Sequence, residues 1–299
     1  MISRRQFLVG GAGFAAGIGT TAAYGVGVEP NLVPAVRRYS LEPEGWPEGL
    51  HLRIGVLSDF HACEPWMSAE RLHGIVAQMN ALAPDLVALL GDFSAGHYYV
   101  TGPVMPAQWG EALAGLRAPL GSVAILGNHD WWHGPVPGMP GGPAEIRAAL
   151  KARAIPLLEN DVLPVMVGRQ VVWIAGLADQ MAHRVRRGEV RGADDLGGTL
   201  AKVTTDDPIV LLAHEPFVFP MVPRRVAVTL CGHTHGGQIC LPGIGAPFSP
   251  TRRYRYGHIV ERGRHLIVSG GLGESGFPVR IGVPPEIGLI ELGSPGLTV

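Results

Sequence analysis

The sequence predicts an α/β protein built on a parallel sheet, and three observations lead there. Short apolar runs rich in β-branched residues recur along the chain. Between the first of them lie stretches whose apolar residues repeat every three or four positions, the period of a helix. Strand alternating with helix means a parallel sheet with crossover helices, whose site lies beyond the carboxyl ends of the strands. The runs stop at Asp, Asn and His, so the chemistry falls where such a sheet would put it.

The bulk composition narrows the class. A chain of 299 residues suffices for one large α/β domain. A net charge of −1 gives no basis for nucleic acid or an acidic partner. Charged residues make up 16%, against 46% hydrophobic, which suits a globular enzyme and excludes a disordered chain. Cys63, Cys231 and Cys240 allow at most one disulfide, and a chain this long needs none. They read as small buried residues.

The chain opens with Ser3-Arg4-Arg5-Gln6-Phe7-Leu8 and then an apolar, Gly/Ala-rich run from Val9 to about Val28. This resembles a signal read by the twin-arginine export machinery. Residues 1–28 are therefore expected to act as signal or membrane anchor. Cleavage near Thr21-Ala22-Ala23 would release the rest; uncleaved, the run matches the ~20 residues that span a bilayer. Either way the catalytic part is expected outside the plasma membrane, periplasmic or tethered. Residues 29–49, rich in Pro and Glu, form a lead-in segment or edge strand, and 50–295 one catalytic domain.

Leu52–Leu57 is the first buried strand, and it runs into Ser58-Asp59-Phe60-His61. If the chain stays extended, alternation places Asp59 and His61 on one side. A helix follows, with Ser68 as N-cap and Leu72, Ile75, Val76, Met79 and Leu82 on its apolar stripe, until Pro84-Asp85 breaks it. The second strand, Leu86–Leu90, ends at Gly91-Asp92. Trp109, Leu113 and Leu116 mark a second helix, and Val123–Leu126 a third strand ending at Gly127-Asn128-His129-Asp130.

Further on, a helix is expected over Pro143–Ala154. A hairpin follows over Val162–Val167 and Gln170–Ala175, turning at Gly168-Arg169. Residues 183–198 read as a charged surface loop with Arg184, Arg186 and Arg187 solvated. The strand Ile209–Ala213 ends at His214-Glu215-Pro216, and Val226–Leu230 ends at Gly232-His233-Thr234-His235-Gly236-Gly237. Glycines on both sides of the two imidazoles let the backbone approach a ligand. Short strands near Ile259, at Leu266–Ser269 and at Ile287–Leu292 close the domain.

Carboxylate, amide and imidazole donors together suit Zn, Mn, Fe or Ni better than Mg or Ca alone. Asp59, His61, Asp92, Asn128, His214, His233 and His235 exceed the needs of one tetrahedral ion. Two divalent ions sharing a carboxylate would use them all. Such a pair clamps a phosphoryl oxygen and makes water nucleophilic near neutral pH. His129, next to a donor, can protonate the leaving oxygen or hold a phosphate oxygen.

In this order and at these strand ends, Asp59-x-His61, Gly91-Asp92, Gly127-Asn128-His129-Asp130, His214 and Gly232-His233-x-His235 resemble the calcineurin-like metallophosphoesterases. The resemblance spans roughly residues 50–292. It implies a four-layer α/β/β/α sandwich with a dinuclear site. Asp59, His61 and His235 would hold one ion, Asn128, His214 and His233 the other, and Asp92 would bridge. His129 would be the acid or the phosphate contact. Some relatives on this fold have lost catalysis and serve as binding modules, but those lack several ligands, and none of the main ones is missing here.

The Gly-Asn-His-Asp-Trp-Trp run, Gly-His-Thr-His-Gly-Gly-Gln and the tail around Pro278-Val279-Arg280 look like the bacterial exported or membrane-tethered branch. That branch implies a lipid-linked or cell-envelope phosphodiester or pyrophosphate. Some members are associated with UDP-2,3-diacylglucosamine in lipid A synthesis, a substrate on the cytoplasmic leaflet, away from an exported domain. Ala95 departs from the family, where Asp or Asn stands three residues after the bridging Asp and orients the His; a Tyr ligand there would mark purple acid phosphatases. Either His129 does not serve as the acid or another group orients it. Arg280 can meet a phosphate through its forked donors, or serve a structural ion pair. His97, Tyr98, Tyr99, Trp131, Trp132 and His133 either line a substrate groove or pack as loop aromatics. His51, His73, His183, His258 and His265 carry no spacing signal.

Overall fold

Side chains along β3 (Leu86–Leu89) alternate between two apolar layers. Leu86 and Ala88 face one layer with Leu90 beyond them, and Val87 and Leu89 face the other. That strand sits inside the first of two sheets. The computed structural model describes residues 17, 19–132, 142–185 and 188–293. Arg4, Arg5 and the start of the expected leader, with His133, Arg186 and Arg187, lie outside the described residues.

In chain order the main elements begin with β1 (Ala35–Leu41), β2 (Leu52–Leu57), α1 (Ala69–Ala81) and β3. Next come α2 (Pro106–Leu113), β4 (Ser122–Ala124), the single turn α3 (Asn128–Trp131) and α4 (Pro143–Ala152). The second half holds β5 (Asp161–Val167), β6 (Gln170–Gly176), α5 (Leu196–Ala201), β7 (Ile209–Leu212) and β8 (Val226–Cys231). It closes with β9 (Gly257–Glu261), β10 (Arg264–Val268) and β11 (Glu286–Leu292).

One sheet has the order β1-β11-β2-β3-β4, the other β9-β10-β8-β7-β6-β5. The central pairs β2–β3, β3–β4, β6–β7, β7–β8 and β8–β10 are parallel. Strand β11 inserts antiparallel to β2 and parallel to the edge strand β1, in register from Ala35–Glu286 to Leu41–Leu292. Residues 29–49 thus close the first sheet with an edge strand.

Three apolar layers separate four structural ones. Leu72, Ile75, Met79 and Trp109 pack helices α1, α2 and α4 on the first sheet. Ile54, Val56, Leu90, Ile174, Val210 and Leu230 join sheet to sheet. Leu211, Val218, Phe219 and Val268 cover the outer face of the second sheet. The result is an α/β/β/α sandwich whose last layer is thin: α5 and a 3₁₀ turn at Pro216–Met221. Burial of this many aliphatic side chains, each worth about 1.5–3 kcal/mol, is the main favourable term.

Helix α1 starts where Ser68 Oγ accepts the Arg71 N–H at 3.1 Å. Helix α2 stops at Leu113, so Leu116 reaches the core from the turn beyond Gly115. Helix α4 ends two residues short of the expected Ala154, which turns left-handed at φ 53°. Residues 183–198 are more ordered than a surface loop. His183–Arg184 pairs with Val190–Arg191, and Asp195 caps α5 by accepting the Gly198 N–H at 2.8 Å. The reason is apolar: Leu196 and Leu200 pack against the outer core. Cys63, Cys231 and Cys240 are free thiols, the first two buried.

Candidate metal centre

The loops after β2, β3, β4, β7 and β8 meet at one end of the two sheets. The first two run side by side: the Asp59 N–H donates to Gly91 O at 3.0 Å, the His61 N–H to Asp92 O at 2.9 Å. The stretch after β2 is not extended. Asp59 and His61 adopt φ of 54° and 45°, and Asp92, His233 and His235 are left-handed too, at 56°, 70° and 51°. Side chains with a Cβ avoid this region at a cost of roughly 1–2 kcal/mol each. Five donors in it mark a backbone bent to aim side chains inward.

Asp59, His61, Asp92, Asn128, His214 and His235 are buried, and His233 is nearly so. Asp59, His61 and His235 form one group of close ligand atoms, and Asp59, Asp92 and His214 another. Asp92 Oδ2 lies between them, 3.5 Å from His61 Nε2 and 3.2 Å from His214 Nε2. Its other oxygen accepts the His129 N–H at 2.8 Å. Asn128 Oδ1 stands 3.0 Å from His233 Nδ1.

Carbonyls decide which nitrogen each imidazole offers. His61 Nδ1 meets Ser94 O at 2.9 Å, His214 Nδ1 meets Leu90 O at 2.6 Å, and His235 Nδ1 meets Gly273 O at 3.1 Å. A carbonyl only accepts, so each Nδ1 carries a proton, which leaves a lone pair on Nε2 of the neutral His61 and His235 rings. His61 Nε2 and His235 Nε2 then face each other at 3.1 Å with no proton between them. His214 Nε2 is buried 3.2 Å from Asp92 Oδ2 and offers its lone pair once its proton leaves. Lone pairs converging beside carboxylates fit divalent cations, and these residues are suited to hold two.

Burial pushes the His61 and His233 imidazoles down to about 3, and His235 well below its ordinary value. All three are neutral ligands at physiological pH. Burial also lifts the Asp59 carboxyl to about 6. Burial raises Asp92 too, but His214, His129 and His61 outweigh it and hold that carboxyl well below the usual range. Burial lowers His214, yet Asp92, Asp59 and Glu215 together leave it well above its ordinary value. Space is equally tight: a Cβ on Gly127 would lie 2.3 Å from Asp92 Oδ1 and 2.7 Å from His214 Cε1.

His129 is half-buried at the edge of this cluster, its ring 5.0 Å from that of His61. Its Nε2 meets Ser275 Oγ at 3.2 Å. With Ala95 unable to orient it, Ser275 does so. Trp132 packs 5.0 Å from the His129 ring, and the Arg184 guanidinium lies 3.6 Å above Trp132. Arg184 is therefore stacked rather than simply solvated.

Arg280 is closed off from solvent. Its guanidinium is fully buried, donating to Val283 O at 2.9 Å, Gly270 O at 3.0 Å and Gly273 O at 2.6 Å. Glu274 Oε1 lies 3.6 Å away. Buried, with both terminal nitrogens donating to carbonyls, Arg280 has the partners of a structural group rather than an open phosphate contact. His97 is buried with neither ring nitrogen partnered, edge-on to Trp66. Tyr98 and Tyr99 are exposed.

Four residues escaped sequence reasoning. Asp130 binds three backbone N–H groups around the site. Ser275 meets His129 from the far end of the chain. Glu215 and Asp179 lie side by side behind His214 and His233, and burial and Glu215 raise the Asp179 carboxyl well above its usual range. The Asp130 signal was available: an acidic residue three positions after Gly127, where a capping box puts it.

Residues 52–237 match the family described as calcineurin-like phosphoesterase. A Bacillus subtilis protein named as an uncharacterized metallophosphoesterase, YkuE, is 31% identical over 98% of both chains. The Escherichia coli phosphodiesterase YaeI is 26% identical, over 98% of this chain and 100% of its own. A Danio rerio transmembrane protein with metallophosphoesterase domain is 31% identical over 91% of this chain and 60% of its own. With this match and the clustered ligands, the chain belongs to the calcineurin-like phosphoesterases, hydrolases of phosphoesters that use two divalent metal ions.

Proposed function

We propose that the protein is a phosphodiesterase or pyrophosphatase whose substrate carries an apolar chain, as a lipid-linked or cell-envelope phosphoester does. The observation behind this is a groove of about 460 Å³ that opens directly from His233 and His235. Ile239, Phe248, Pro250, Phe277 and Val279 give it apolar walls, and Ser275, the partner of His129, lines it as well. Phe248 and Phe277 stay exposed at 75% and 61%, so the groove has bare apolar surface for a ligand to cover. Ser275 also contacts His129, which packs on Trp132, and Trp132 carries Arg184, a cation suited to a phosphate or headgroup.

The ions, when bound, polarise the phosphoryl group and supply a water nucleophile. The protein does the rest. Its imidazoles and the Asp92 carboxylate would hold the two ions. His129 Nε2, steered by Ser275 Oγ, meets the leaving oxygen or a phosphoryl oxygen. Burial, opposed in part by Asp92, lowers the His129 pKa and favours its neutral ring, which can still donate one N–H to a phosphoryl or leaving oxygen. The apolar groove excludes water from one side and orients the alkyl part of the substrate. The name of the Escherichia coli relative, a phosphodiesterase, supports a diester over a monoester.

A substrate screen decides. Purified protein with Mn(II) should hydrolyse bis-p-nitrophenyl phosphate, and kcat/KM should rise at least about tenfold when one ester group is a long alkyl chain. Equal values for short and long chains would remove the apolar part. UDP-2,3-diacylglucosamine is the second candidate, because the groove suits its acyl chains; UMP release would identify that reaction. Export by the twin-arginine route, with release or tethering at the membrane, is part of the same proposal and rests on Ser3–Leu8. No helix among the described residues is long and apolar enough to cross a membrane. Fractionating cells with the Arg4→Lys/Arg5→Lys variant beside the wild type tests it: a retained variant supports export, and an unchanged distribution removes it.

A further inference from the structure

Glu215 follows the ligand His214 directly, yet the seven donors described above leave it without a task. It is fully buried. Its backbone is pinned: Pro216 opens the 3₁₀ turn, and the Cys231 thiol and the Gln180 side-chain amide both reach its carbonyl. Its Oε2 accepts the Gln180 N–H at 3.2 Å. Oε1 is buried with no hydrogen bond at all. The adjacent Asp179 has a buried oxygen, Oδ2, in the same condition. Asp179 pairs with Glu215 as a hydrogen-bonded carboxyl, so its bare oxygen needs no ion. Glu215 itself also stands against His214 and His233, its Oε1 without an N–H or hydroxyl donor and so open to a cation.

The spacing says where that cation sits. Glu215 Oε1 is 3.9 Å from His233 Nδ1, too far for a hydrogen bond. Two donors each about 2.1 Å from one ion stand about 3 Å apart at a right angle and approach 4 Å as the angle opens. The 3.0 Å between Asn128 Oδ1 and His233 Nδ1 fits the first case, and the 3.9 Å to Glu215 the second. His214, Glu215 and His233 form a compact group of ligand atoms on their own.

We propose that Glu215 is a further protein donor to the second ion, beside Asn128, His214, His233 and the shared Asp92. That cage then offers two carboxylates, one amide oxygen and two imidazoles. Five donors with one position open describe a six-coordinate ion and disfavour tetrahedral zinc there. Manganese or iron fits this half of the centre better. The inference holds whichever phosphoester is the substrate.

Metal-free full-length protein titrated with Mn(II), with free Mn(II) read by electron paramagnetic resonance, tests it. Wild type should take up two ions. Glu215→Gln should keep the first and bind the second more than about a hundredfold more weakly, beyond the loss expected when only an outer partner is removed. Asp179→Asn, which touches no ion in this scheme, should hold both within about tenfold of wild type. Wild-type affinities in Glu215→Gln overturn the proposal, and so does an equal loss in Asp179→Asn. Should Glu215→Gln fail to fold, crystals of the wild type soaked in Mn(II) decide alone. An ion about 2.0–2.3 Å from Glu215 Oε1 supports the assignment, and one beyond about 3 Å overturns it.

Discussion

The carboxylate of Asp130 accepts the backbone N–H of Asp92 at 2.8 Å, binding the loop after β4 to the loop after β3. The same oxygen takes the Gly127 N–H at 2.9 Å, and Oδ1 takes the Ser94 N–H at 3.1 Å. One buried side chain thus sets the position of the bridging aspartate, of the turn that delivers Asn128, and of the strand tip between them. Asp130→Ala would leave three buried N–H groups bare, at roughly 1–3 kcal/mol each. Urea unfolding should show a loss of about 3 kcal/mol or more, with Asp130→Asn in between because it keeps one oxygen. A loss below about 1 kcal/mol in Asp130→Ala would show that other contacts hold these loops.

His129 and Ser275 should separate chemistry from metal binding. His129→Ala is expected to lower kcat/KM about 10²–10⁴-fold, the range for a positioned proton donor, while two ions remain bound. Ser275→Ala removes one orienting hydrogen bond, worth about 1 kcal/mol, and should cost roughly fivefold. Steady-state rates on bis-p-nitrophenyl phosphate, with metal analysis of the same samples, give both numbers. Loss of an ion in His129→Ala would reassign that residue to the cage.

The metal-free protein should be labile to acid. His61 and His233 are held neutral by burial, with folded values near 3 against 6.5 when exposed. Between those values the unfolded chain binds protons that the folded chain does not. Stability therefore rises with pH across this window and is lost as pH falls from 6.5 toward 3, at about 1.4 kcal/mol per pH unit for each imidazole. His214 acts oppositely, and so do the raised carboxyls of Asp59 and Asp179: each stabilises at low pH and loses that contribution as pH rises through its folded value. Denaturant melts against pH should show a smaller acid slope in His61→Asn. An unchanged slope would mean that His61 is not held neutral.

Removing the ions should destabilise as well as inactivate. Without them the facing lone pairs of His61 and His235, and the carboxylates of Asp59 and Asp92, have nothing between them. At free metal a hundredfold above Kd, the bound state gains about 2.7 kcal/mol per ion, or several degrees in Tm. Chelator should abolish hydrolysis and lower Tm by about 5–10 °C, and added Mn(II) should restore both. An identical Tm with and without chelator would mean that these groups hold no ion.

A single added methyl group tests how closely the centre is built. Gly127→Ala places a Cβ against Asp92 Oδ1 and His214 Cε1, both of which the fold holds rigidly. The variant should fold with lowered stability and bind fewer than two ions. Normal metal content would show that the β4 loop can retreat.

The α/β class, the order of strands and helices and the seven converging donors were legible in the sequence. These are local properties: an apolar run followed by a polar ligand marks a strand tip wherever the chain goes. Which groups serve those donors was decided only in three dimensions. Ser275 lies 146 positions from His129, and Asp59 receives its N–H from His233, 174 positions away. Arg280 had the chemistry of a phosphate ligand, but carbonyls turned inward at Gly270, Gly273 and Val283 claimed its donors. Glu215 and Asp179 looked like ordinary loop acids until folding buried them together. Hydrogen bonds and desolvation depend on what the fold brings near, and no local pattern carries that.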